Sequence, residues 1–97
     1  MPAEPYRIEW ASLPGAATCL GCGVGRIETG RRALRIPRGP SSISRIVGQW
    51  FHGYDCLARR AEQAAMEEED RGSGRGEAYR DLAMWARAQD RARRAIP

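Results

Sequence analysis

Three cysteines and one histidine are the only thiol and imidazole groups in this chain, and they fall into two close pairs. The spacing is Cys19-x2-Cys22, then 29 residues, then His52-x3-Cys56. Zinc takes four sulfur or nitrogen ligands in a tetrahedron, commonly as two pairs, one from a tight turn and one from the start of a helix. An odd number of thiols cannot be used up in internal disulfides, whereas three thiols and one imidazole complete a zinc set. Free cysteines are often packed core residues, but core packing gives no reason for two close pairs. The four are therefore read as ligands of Zn2+, which suits a closed set with one imidazole better than iron does. Such a set leaves no position for water, and the single histidine is already committed. The expectation is a structural metal, no enzyme activity and no small-molecule substrate.

Several elements must position these ligands. Tyr6-Arg7-Ile8-Glu9-Trp10 alternates apolar and charged side chains, predicting a strand over 6–10, and Pro14-Gly15 turns the chain towards Cys19. Cys19-Leu20-Gly21-Cys22-Gly23 reads as a knuckle whose glycines supply positive φ. A second strand is expected over 33–36, broken at 37–42, so that 23–51 forms a small twisted antiparallel sheet with a loop at its tip. From Tyr54 to Asp70 the residues favour helix, with Cys56 near its start. A flexible break is expected over 71–76 and a second helix over 77–95, striped by Tyr79, Leu82, Ala83 and Ala86. The fold class is thus α+β: a small zinc-stapled antiparallel sheet (1–60) followed by a two-helix C-terminal part (61–97), packed on it or tethered to it.

At 97 residues the chain is one small domain, short enough that a metal would help it fold. All 16 basic residues are Arg and Asn is absent, a bias expected of a GC-rich genome, so the placement of the arginines is more informative than their number. Residues 1–60 carry nine Arg against four acids, a net of +5; residues 61–97 carry seven against eight, a net of −1. The positive field belongs to the cysteine-bearing part and points to a polyanion. No run is long enough to span a membrane and the opening residues do not read as a leader, so the expected location is cytoplasmic, or nuclear in a cell with a nucleus.

The order of these residues resembles the zinc finger of poly(ADP-ribose) polymerases and of one DNA ligase class, which senses broken DNA. The likeness covers about residues 6–60. It is carried by Tyr6-Arg7-Ile8-Glu9-Trp10-Ala11, Cys19-x2-Cys22, Ile27, Leu34-Arg35-Ile36 and Trp50-Phe51-His52 leading to Cys56. The family's last pair is usually His-x2-Cys, one residue shorter than here, and Ala16 stands where a basic residue is common. The resemblance implies DNA as partner, with nicks or ends as targets, and Arg7 and Arg35 as phosphate contacts. It also implies an apolar loop stacking on exposed bases, the place taken here by Ile43, Ile46 and Val47, of which Ile46 and Val47 are read rather as core.

From the residues themselves, Arg31, Arg32, Arg38 and Arg45, with Arg26, extend the same basic surface: six Arg stand against one acid between 26 and 45. Trp10 and Trp50 are assigned to the core. A second class of function stays open, a zinc-stabilised protein-interaction module whose C-terminal helix docks on a larger partner. The acidic run Glu67-Glu68-Glu69-Asp70, which would repel DNA, keeps it so.

Overall fold

The computed structural model describes residues 7–22, 25–39 and 41–94. Five strands form: β1 (Arg7–Ser12), β2 (Ala17–Thr18), β3 (Arg26–Ile27), β4 (Arg32–Arg38) and β5 (Trp50–Phe51). Two helices follow, α1 (Tyr54–Arg71) and α2 (Gly76–Arg94). The architecture is α+β, with an antiparallel sheet ordered β1-β4-β5 and a two-stranded sheet β2-β3. No helix among the described residues is long and apolar enough to cross a membrane.

Tyr6 lies outside the described residues, and the first strand continues to Ser12. The break expected at Pro37 does not occur, because β4 runs through Pro37 to Arg38. Its register with β1 moves from Glu9↔Arg35 to Arg7↔Arg38, so β4 advances three residues while β1 advances two. Pro37 sits in that bulge, and β5 pairs only with Leu34 and Arg35, so the missing N–H interrupts no regular ladder. The single sheet expected over 23–51 also divides. β3 pairs with β2, a strand of two residues too short to show any alternation in sequence.

One core joins sheet and helices. Leu34, Ile36 and Phe51 are fully buried together with Ile43 and Ile46 from the β4–β5 connection. α1 contributes Leu57, Ala58, Ala61, Ala64 and Ala65, and α2 contributes Tyr79, Leu82, Ala83 and Ala86. The alanines let the helix axes approach closely, and recurrence at three and four residues puts each set on one face. Arg87 of α2 ties the seam by donating from Nε to Glu62 at 2.7 Å and from Nη1 to Asp55 at 3.3 Å, and Arg80 pairs with Glu69. A boundary at residue 60 falls inside α1.

The connection between the helices is a capped turn rather than an open linker. Gly72 takes the left-handed conformation (φ 67°), and its N–H meets the carbonyls of Glu68 and Glu69. The Ser73 hydroxyl donates to the Glu68 carboxylate, so side chain and backbone close the turn together.

Candidate metal centre

Each ligand reaches the centre from a different local structure. Cys19 follows β2 directly and Cys22 lies in the turn after it; the Cys19 N–H donates to the Gly25 carbonyl at 2.8 Å, closing the loop. His52 follows β5, and Cys56 stands in the first turn of α1, where the positive end of the helix favours a thiolate. Gly53 between them caps the helix in extended backbone (φ −177°), a conformation open to any residue. The His-x3-Cys spacing is thus met without strain.

The ligand atoms of Cys19, Cys22, His52 and Cys56 all lie within 4.8 Å of one another. His52 Nδ1 is 3.7 Å from Cys22 Sγ and 3.9 Å from Cys56 Sγ. A tetrahedral ion with bonds of about 2.3 Å to sulfur and about 2.0 Å to nitrogen places S and N roughly 3.6 Å apart. The four side chains fit such an ion, with Nδ1 as the imidazole ligand atom. Cys19 is fully buried, Cys22 and Cys56 are half-buried and His52 is exposed, so the centre sits at the edge of the core.

Without a cation this grouping is electrostatically unfavourable for thiolates. Burial, then the neighbouring Cys19 and Cys22, push the Cys56 thiol up to about 12. A bound cation reverses that balance by stabilising the thiolates, which is the chemistry it would supply here: a cross-link between the β2–β3 loop, β5 and α1.

Two glycines essential to this geometry have a role that the sequence reading mistook or missed. A Cβ on Gly21 would stand 2.1 Å from the Cys56 carbonyl oxygen. Gly21 is absent from the positive-φ residues, so its function is close approach to α1 rather than the backbone freedom expected of it. A Cβ on Gly25 would lie 2.3 Å from His52 Cε1 and 2.8 Å from Cys22 Sγ. The run of glycines around Cys22 was the available signal, but only the meeting of loop and helix shows what they avoid. Gly23 lies outside the described residues.

The arginines expected to form one basic surface separate into groups. Arg7 and Arg38 are exposed and directly opposite each other across β1 and β4, and Arg35 lies on the same sheet face, opposite Glu9. Arg35 Nε is 3.2 Å from Glu9 Oε1, and its guanidinium stands 5.2 Å from the Trp50 ring centre. Arg31 is exposed beyond the strand; Arg32 falls on the opposite face and reaches the Trp10 carbonyl at 3.3 Å. Arg26 is 3.9 Å from Glu28.

Two expected contacts are turned inward. Ile43 is fully buried, because the β4–β5 connection packs against α2, and it presents no surface to a base. Arg45 is held by Glu67 and by Glu68, the latter at 2.9 Å, and its backbone N–H donates to the Tyr79 hydroxyl at 3.3 Å. The Ser73 hydroxyl, and then Arg45, hold the Glu68 carboxyl below its ordinary range. The acidic run is in part neutralised within the chain: Arg45 is shared by Glu67 and Glu68, and Arg80 pairs with Glu69. The stripe Tyr79, Leu82, Ala83, Ala86, expected to dock a partner, is buried against α1.

A further cluster escaped the sequence reading. Trp10 meets Tyr54 edge-on at 6.0 Å, Tyr54 meets Trp85 at 5.8 Å, and Arg93 in the last turn of α2 lies 4.5 Å over Trp10. These rings join β1 to both helices beside His52 and Cys56. Set beside known proteins, the chain matches no protein-family model, no curated protein and no solved structure.

Proposed function

We propose that the chain is a zinc-stapled nucleic-acid-binding module, with DNA as its target and nicks or ends as the preferred form. The observation that carries this reading is the Arg7↔Arg38 pair. Like charges directly opposite on neighbouring strands are destabilising, and neither arginine has an ion-pair partner among the described residues. A phosphate between two guanidiniums removes that repulsion through charge-assisted hydrogen bonds. Arg35 on the same face and exposed Arg31 enlarge the positive surface. The resemblance to a break-sensing finger supports DNA and zinc, and the three-thiolate, one-imidazole set favours zinc on chemical grounds.

Fluorescence polarisation of the zinc-loaded chain with nicked, blunt-ended and intact circular DNA at two salt concentrations tests the reading. Binding to the nicked or ended form should weaken with salt as counterions are released, and Arg7→Ala with Arg38→Ala should flatten the salt slope by roughly one to two. Binding to none of the three DNAs would overturn it.

A second reading, a protein-interaction module, is favoured by Met66 and Met84, exposed at 61% and 71% on α1 and α2. Adaptable methionines on a helix surface suit a protein partner.

A further inference from the structure

The sheet face that bears Arg7, Arg35 and Arg38 also bears Trp50. In register, Glu9 of β1, Arg35 of β4 and Trp50 of β5 stand side by side across three strands, with Arg7 and Arg38 as the next pair along. The bulge separates Arg35 from Arg38 by three residues, about 10 Å along a strand. Phe51 and Leu34, paired on the other face, are fully buried, whereas Trp50, Arg35 and Glu9 are only half-buried. Trp50, expected in the core, does pack against it while remaining partly buried, and its ring also meets the Arg35 guanidinium at 5.2 Å.

Arg35 is incompletely satisfied there. Its Nε is buried and lies 3.2 Å from Glu9 Oε1 but out of hydrogen-bond alignment, leaving that N–H without an acceptor. Its side chain is 37% exposed, so the guanidinium remains reachable from solvent.

Neither helix offers an alternative reading surface for a duplex. The exposed positions of α1 include Arg59, Gln63, Met66, Glu69 and Asp70, and those of α2 include Glu77, Arg80, Asp81 and Met84, with Arg91, Arg93 and Arg94 confined to its last turn. Such faces of mixed charge do not suit a groove-reading helix, which needs a basic stripe and base-contacting polar side chains. A basic sheet face with an accessible aromatic suits unstacked bases, as single-strand binders do with aromatic platforms set among phosphate contacts.

We propose that this face is a single-strand site in which an unpaired base stacks at the Trp50–Arg35 pair and the flanking phosphates meet Arg7 and Arg38. The proposal rests on the nucleic-acid reading above and names the form of nucleic acid: a strand with unpaired bases, as at a gap or frayed end. The chemistry is shared by DNA and RNA, so oligomers of both kinds are needed.

The test uses the whole zinc-loaded chain and labelled 12-nucleotide DNA and RNA single strands, with the matching DNA duplex alongside. Wild type should bind a single strand more tightly than the duplex, Trp50→Leu should lose about tenfold of that affinity and Trp50→Phe should restore most of it. Photo-crosslinking of the unmodified chain to a strand carrying 5-iodouracil covers the case in which Trp50→Leu fails to fold; the adduct should map to Trp50. Equal binding of strand and duplex, or an adduct confined to Trp10 or Trp85, would overturn the single-strand site while leaving nucleic-acid binding intact. Binding of no oligomer would overturn both.

Discussion

The metal centre depends as much on what its neighbours lack as on the ligands themselves. Gly25 leaves space for the His52 ring and the Cys22 sulfur, so Gly25→Ala drives a methyl group into both. Its metal affinity should fall by about tenfold or more, the usual scale for disturbing ligand orientation, measured by competition with a chromophoric chelator. Gly21→Ala should be worse, since the obstacle is the backbone of Cys56 and not a side chain that can turn aside. It should melt at a much lower temperature than wild type even with saturating zinc. Gly53→Ala is the matched control: its Cβ would meet only Trp10 at 3.7 Å, an ordinary contact, and it should melt like wild type. The grouping of Cys19, Cys22, His52 and Cys56 into a cluster that could hold a metal ion was legible from type and spacing alone. The glycines' roles were not, because a steric gap is a relation between segments far apart in sequence.

Among the elements, the αα turn shows how a polar network fastens a helix end. Glu68 is buried, accepts from Ser73 and pairs with Arg45 from the β4–β5 connection. Its folded pKa is lowered from an unfolded value near 4.5, chiefly by Ser73 and then by Arg45. A carboxylate lowered on folding contributes stability that is fully present above its unfolded pKa and lost as pH falls through the folded one. Melting curves from pH 7 to pH 3 should therefore show wild type losing stability below about pH 4.5, and Glu68→Gln, weaker at neutral pH, losing less over the same interval. In the same seam, Leu82→Ala removes a fully buried side chain between the helices and should cost about 2–5 kcal/mol by chemical denaturation. Both helices were legible, α1 from its run of helix-favouring residues and α2 from the stripe Tyr79, Leu82, Ala83 and Ala86. The strands were harder: β2 and β3 have two residues each, and β4 crosses Pro37 because a bulge accommodates it.

At the level of the whole molecule, the two halves are secured differently. α1 and α2 share a continuous apolar seam closed by ion pairs, whereas β2, β3 and the loop between them have few buried side chains among the described residues, Cys19 and Ile27. Metal removal should therefore act unevenly. On chelation, amide hydrogen exchange should rise first and most at 13–22 and 25–30, while amides facing the α1–α2 seam keep more of their protection. Loss of all protection at once would show instead that the helices have no stability of their own. The α+β class and the four-ligand set were readable from the chain, but the inward turn of Ile43 and Arg45 was not. Each stands in a basic, loop-like stretch, and only the fold shows that this stretch packs against α2.

The position of Arg93 over Trp10 bears on how the molecule is made. During synthesis the last metal ligand emerges at residue 56, while the guanidinium that covers the indole of the first strand arrives 37 residues later. A nascent chain can therefore capture its ion before the second helix leaves the ribosome. Until then Trp10 and Tyr54 lack the cover that Trp85 and Arg93 give them, so a chaperone that recognises aromatic surface has a defined interval in which to act, ended when the second helix docks.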